Sequence, residues 1–386
     1  MSGPTRLLIY SADFWPVVGG VQSVVMTLAQ GFASRKHDAR AVHCTVVTET
    51  PAGTAADSDL PFRIVRKPNL MQLAHLLWRA DLVHLAGPAL RPLLLSCILR
   101  KKVVVEHHGF HALCPNGLLF HEPSRTACAG HFLAGLHREC WKCNAESGRW
   151  RSLMLWALTF LRRWSCRLVA ANIVPTRWLG QLMQLPRTFV VPHGVAERPL
   201  APLPLFKSSK FAFVGRLVST KGVDLLLRAS AELLRKGIQC SVVIIGDGPE
   251  RKNLELLCRA LGLAPAVDFA GQVAEHDVKA LLSDAVAVVI PSLAGEVFGL
   301  AAAESMMRGC PVIAPNGGAL AEVTAETELK FAPGDATSLA DCMERFLRSP
   351  ELAAELGERA RRRSLANFRA DQMLDGHLAL YQGILK

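Results

Sequence analysis

The chain has 386 residues, half of them hydrophobic, with 44 Lys and Arg against 33 Asp and Glu, a net charge of +11 and 11 cysteines. That length supports two domains of ordinary size, and no uncharged apolar run reaches the ~18 residues that a membrane-spanning helix requires. The charge is uneven, since residues 1–204 hold 23 basic against 11 acidic side chains, and such an excess suits an anionic partner, either a membrane surface or nucleic acid. Strands are predicted at 6–11, 44–48, 62–66, 81–85, 102–106, 168–175 and 188–192, and in the second half at 211–215, 241–246, 267–270, 286–291, 311–314 and 329–331. Helical patterns fill the gaps, which is the βαβ rhythm of parallel sheets, and it occurs twice. The first strand follows a start too short and too weakly apolar for a secretory leader, and Ser2 removes the myristoylation pattern. The expectation is a cytosolic chain whose cysteines are reduced thiols or metal ligands.

The predicted organisation is an N-terminal doubly wound domain over 1–192, a linker at 193–208 rich in proline, a second doubly wound domain over 209–369, and a helix at 370–386 that crosses back to the first. Two such domains are expected to face a cleft, a favoured place for ligands. In the first domain Gly19 and Gly20 separate the first strand from an amphipathic helix, where glycine lets a backbone approach a phosphate or sugar closely. The G-x-G-x-x-G dinucleotide pattern is absent. A strand ending at Glu106 delivers His107, His108 and Gly109 to its carboxyl end.

Beyond it lies a stretch poor in periodicity, about 110–147, holding Cys114, Cys128, Cys140 and Cys143. Four thiols including a C-x-x-C suit tetrahedral zinc in a structural role, or are four reduced cysteines. The following helix, 148–168, places Trp150, Leu153, Met154, Ala157, Leu158, Leu161 and Trp164 on one face, with Arg149, Arg163 and Arg167 away from it. Two readings stand: the helix rests on an anionic bilayer, or it packs on its own domain.

In the second half, FVGRLVSTKG brings Arg216 and Lys221 into one loop at a strand end, suited to a diphosphate. The run VAVVIPSLAGEVFGLAAAES then reads as a buried strand, a loop holding Glu296, and a helix opening near Phe298-Gly299-Leu300 and holding Glu304. Two acids beside a helix start that suits an anion need a neutral partner, and sugar hydroxyls fill that role.

These segments, with VVIIGDGPE and FAGQV between them, resemble the C-terminal domain of retaining glycosyltransferases of family 4, the glycosyl transferases group 1, over about residues 211–325. The resemblance implies a GT-B fold, in which two Rossmann-like domains face a cleft, and a UDP-, GDP- or ADP-linked sugar donor. By position, Arg216 and Lys221 would hold the diphosphate and Glu304 the ribose, with Val273 beside the base. Glu296 would bind the donor sugar's hydroxyls near the amides of Phe298, Gly299 and Leu300, and Gly19 and Gly20 would close over the donor. His108, or its neighbour His107, takes the place of the family's catalytic histidine, although Gly109 and His111 depart from the family pattern. Catalysis in this family is front-face displacement with retention and requires no metal cofactor.

The expected function is transfer of a sugar to a glycan or lipid-linked acceptor in envelope or exopolysaccharide synthesis, by an enzyme peripheral to an anionic membrane. No nucleic-acid-binding motif accompanies the charge. The rival readings are a nucleotide-sugar epimerase on the same fold and a non-catalytic, zinc-stabilised binding protein.

Overall fold

A computed structural model of the chain describes residues 5–35, 42–52, 57–144, 148–198, 200, 208–282, 284–325 and 330–386. Most of the expected linker, at 199 and 201–207, and the first residue of the strand expected at 329–331 lie outside the described residues. Two compact units emerge, one holding 1–119, 129–194 and 370–386, the other 120–128 and 195–369.

The strands in chain order are β1 Thr5–Ser11, β2 Val42–Thr48, β3 Arg63–Arg66, β4 Leu82–Ala86, β5 Val103–Glu106, a two-residue hairpin β6 Phe120–His121 and β7 Thr126–Ala127, then β8 Ala171–Val174 and β9 Thr188–Val190. The sheet of the first unit runs β3-β2-β1-β4-β5-β8-β9 and its pairings are parallel. β4 and β5 are near-continuous apolar runs because helices cover both faces of such a sheet. The helix Gly20–Ser34 buries Val24, Val25, Leu28, Ala29 and Phe32, spaced by three and four. Asn69 and Gln72 form a capping box at the start of the helix Leu70–Arg79. The strand expected at 168–175 is shorter because the turn after the helix Arg149–Cys166 runs into it. Within this unit the final helix, Ala370–Leu385, packs on Gly20–Ser34. Arg35 meets Asp375 at 2.5 Å, Phe32 and Tyr381 rings lie 6.0 Å apart, and Gly31 leaves the space that Leu374 fills.

The second unit holds β10 Lys210–Val214, β11 Ser241–Ile245, β12 Val267–Gly271, β13 Ala285–Val289, β14 Val312–Pro315 and β15 Lys330–Phe331, in the order β12-β11-β10-β13-β14-β15. Alternate residues serve opposite layers. Phe211, Phe213, Val242 and Ile244 join the core with helices Val223–Arg235 and Ala336–Arg348. Ala212, Val243, Ile245 and Val288 join the core with Leu300–Met307. Val195, read as linker, is only 4% exposed in that core, and its N–H donates to the Phe368 carbonyl at 2.8 Å.

A chain ending at Arg369 would leave Met373, Leu374, Leu378 and Tyr381, each under 8% exposed, out of the first unit. At ~1.5–3 kcal/mol per buried apolar side chain the loss is about 6 kcal/mol or more, comparable with the whole stability of a domain. The first unit of that truncation is expected to lose cooperative thermal unfolding while the second keeps it; retention of both transitions by calorimetry would reject the assignment of this helix.

Candidate functional site

The order of the second sheet reverses between β10 and β13, and in open parallel sheets the crevice beyond the carboxyl ends at such a point is the usual ligand site. Both strands end in loops that carry charge. After β10 the chain exposes Arg216, whose side chain makes no ion pair among the described residues, and then turns through Ser219–Lys221 to Gly222. Gly222 has φ +63°, and a Cβ there would stand 2.1 Å from the Pro291 carbonyl oxygen. The Leu293 N–H donates to the Thr220 carbonyl at 2.8 Å. These contacts bring Lys221 against Glu296, 75 residues away, as an ion pair with 28% and 17% of the side chains exposed. Ser292 Oγ donates to the same carboxylate oxygen at 3.0 Å.

The remaining predicted residues of this unit take distinct places. Phe298 is 1% exposed and meets Phe368 edge to face at 5.2 Å, so its backbone alone is left to meet a ligand. Gly299, at φ +93°, is the N-cap of the helix Leu300–Met307 without a side-chain cap, which leaves that helix start suited to an anion. Leu300 and Val273 pack partly buried on the core below, and Glu304 is half-buried on the same helix. An exposed Arg, a Lys–carboxylate pair and a helix start at one sheet edge can bind a diphosphate and hydrogen-bond hydroxyls. The part of Ser292 was not foreseen; its only signal was a hydroxyl between a buried strand and Glu296.

In the first unit the two adjacent histidines separate. His107 is fully buried, its Nε2 2.9 Å from Asn172 Oδ1. Because Asn172 Nδ2 donates to the carbonyls of Cys166 and Pro186, its Oδ1 is the acceptor and His107 Nε2 carries the proton. Burial pushes the His107 imidazole down to about 4, so it stays neutral. His108 lies instead with Nε2 3.3 Å from Glu106 Oε2 and its ring stacked on His193 at 5.0 Å. Glu106 is 0% exposed. Burial raises its carboxyl, but the facing His108 and His377 outweigh that and hold it well below the ordinary value. Gly19 precedes the helix Gly20–Ser34 as its N-cap, with Gly20 exposed.

Among the described residues the converging groups of ligand side chains both contain Glu106, and neither contains a cysteine. Cys114 Sγ donates to Asn116 Oδ1 at 2.9 Å, while Cys140 and Cys143 lie one turn apart at the end of the helix His137–Lys142. The helix Arg149–Cys166 turns Ser152, Thr159, Ser165 and Cys166 inward and leaves Trp150 at 84%, Met154 at 53% and Trp164 at 55% exposure. Arg149 and Arg167 are exposed, while Arg163, also away from the Trp150 and Trp164 side, is half-buried and its guanidinium donates to the Met183 carbonyl at 2.8 Å. The helix Arg177–Met183 ends there, so a cation is favoured.

A family model described as glycosyl transferases group 1 matches residues 204–363. The alpha-D-kanosaminyltransferase of Streptomyces kanamyceticus is 30% identical over 50% of this chain and 47% of its own length. The lipopolysaccharide core biosynthesis mannosyltransferase LpcC of Rhizobium leguminosarum bv. viciae is 30% identical over 59% of this chain and 68% of its own. The structure of Anabaena HepE in complex with UDP and glucose matches 98% of this chain and 100% of that one, with a TM-score of 0.72 and 16% identity, a likeness of fold. The chain spans about half the length or less of several curated relatives it matches.

Gly222→Ala tests how the charged loops are held. A side chain at that φ costs roughly 1–3 kcal/mol, and the contact with Pro291 adds to it. The expected result is a lower unfolding temperature of the second unit; an unchanged one would mean that the loops meet by other means.

Proposed function

The chain belongs to the glycosyl transferases group 1 family, and from that we propose that it moves a hexose-type sugar from a nucleotide diphosphate to a glycan or lipid-linked acceptor, with retention at the anomeric carbon. The observation that carries the reading is the Lys221–Glu296 pair at the reversal point of the second sheet, with Arg216 exposed in the same loop as Lys221. Arg216 is free to take the diphosphate, and Lys221 joins it as Glu296 exchanges its ammonium partner for hydroxyls of the donor sugar. Charge building on the departing diphosphate is then met by two cations already in place. The helix start at Gly299 faces the same charge, Glu304 holds the ribose, and Val273 lies by the base. By family position, Gly19, Gly20 and His108 are the first unit's candidates for contact with substrate. HepE is described with UDP and glucose, which supports a UDP-linked donor as the first to try.

The basic excess of residues 1–204 and the outward Trp150, Met154 and Trp164, flanked by Arg149, Arg151 and Arg167, support an acceptor met at an anionic membrane surface, with a role in envelope or exopolysaccharide synthesis. Among the described residues no helix is long and apolar enough to cross a membrane.

Turnover of UDP-, GDP- and ADP-linked sugars with membrane extract as acceptor is expected to release one nucleotide. Glu296→Gln is expected to lower kcat by ~100-fold or more, as loss of about 3 kcal/mol of transition-state stabilisation would. Release of no nucleotide by folded protein would overturn the transferase reading. On anionic liposomes, joint replacement of Trp150 and Trp164 by Ala is expected to weaken sedimentation ~10-fold or more, and undiminished binding would reject docking through this helix.

A further inference from the structure

Three segments that are far apart in sequence point histidines at one buried carboxylate. Glu106 ends β5, His84 lies in the middle of the neighbouring β4, His377 comes from the final helix Ala370–Leu385, and His193 follows β9. His84 Nε2 is 3.1 Å from Glu106 Oε2, and His377 Nε2 is 3.6 Å from that oxygen. His193 Nδ1 is 3.5 Å from Oε1. His84, Glu106 and His377 are all 0% exposed. None of the three facing atoms, His84 Nε2, Glu106 Oε2 and His377 Nε2, has a hydrogen-bond partner. Burying a carboxylate and two ring nitrogens without satisfying them is expensive, so something must occupy the point where they converge.

The far side of His377 narrows the choice. Its Nδ1 is 2.8 Å from the Met373 carbonyl oxygen, which only accepts, so Nδ1 carries the proton. Nε2 then faces a carboxylate and is matched to it only by a cation at that point, either a second proton on the ring or a metal ion between the two. Nδ1–H on a backbone carbonyl is also the usual outer support of a histidine that ligates metal. His84 has an outer partner too, Tyr381 Oη at 2.7 Å from its Nδ1. The separations fit: ligands about 2.0–2.2 Å from an ion stand roughly 3.0–3.5 Å from one another in octahedral or tetrahedral sites.

We propose that His84 Nε2, His377 Nε2 and a Glu106 oxygen bind one first-row divalent transition-metal ion, of the zinc class, which ties the final helix to β4 and β5 within the first unit. Two imidazoles with one carboxylate favour such an ion over magnesium or calcium, which prefer all-oxygen shells. The ion serves structure: its ligands are fully buried, and they bring together residues 84, 106 and 377. His108 and His193 approach the same carboxylate, so the ion also fixes the group against which His108 rests. This site owes nothing to the sugar-transfer reading.

The 386-residue chain, purified without chelator, is analysed for metals and then stripped and titrated with Zn²⁺, Co²⁺ and Mn²⁺. The expected result is about one ion per chain, and a Tm that falls ~5–10 °C on stripping and returns with added ion. Bound Co²⁺ is expected to show d–d bands without a thiolate charge-transfer band. His377→Gln is expected to lose the ion, whereas the double variant Cys140→Ser, Cys143→Ser keeps it. Metal-free wild type whose Tm does not respond to any of the three ions would overturn the proposal. A thiolate band, or loss of the ion with the cysteines, would overturn it too, by placing the metal elsewhere. Neither of these depends on whether His377→Gln folds.

Discussion

Backbone segments lie on one another beyond the carboxyl ends of the second sheet, and the candidate site depends on that proximity. Side chains are excluded at three glycines. A Cβ on Gly222 would stand 2.1 Å from the Pro291 carbonyl oxygen, one on Gly246 1.9 Å from that of Gly215, and one on Gly248 2.3 Å from that of Leu217. The loops after β10, β11 and β13 therefore close on each other by steric fit. The ion pair between Lys221 and Glu296 does not close them, since a part-exposed pair contributes at most about 1 kcal/mol. It is a result of the fit, and so breaking the pair would not loosen the frame.

The two units treat a glutamate in opposite ways. Glu296 keeps 17% of its side chain exposed and holds partners that can leave. Glu106 is shut away from solvent, faced by rings from β4, from the segment after β9 and from the final helix, and cannot exchange with anything large. A carboxylate of the first kind suits turnover, whereas one of the second kind suits permanence.

Much of this was legible before the fold was known, and the limits are physical. Short apolar runs separated by helical patterns marked the strands of both sheets, because a parallel strand covered on both faces has no polar alternation to confuse the reading. The charged loops after β10 and β13 were found because each follows its strand directly. The partners of Glu106 were invisible, since residues 84, 193 and 377 meet only through sheet order and the return of the last helix. In the helix Arg149–Cys166 periodicity revealed a stripe of Trp150, Met154 and Trp164 without saying which side is covered, and the hydroxyl side is. The partner of Arg163 was not legible, because it is the end of another helix.

The last helix also sets an order in time. Translation releases β1 to β9 first, yet the groove on the helix Gly20–Ser34 that receives Leu374 and Tyr381 is filled only by residues past 369. Between them lies residues 195–369, which at ~5–20 residues per second takes roughly ten to thirty seconds to make. Through that interval the earlier-made unit waits on the ribosome with its apolar groove open, while the later-made one has all of its sheet. The part synthesised first is thus the part completed last, and a nascent-chain chaperone would find its binding surface there.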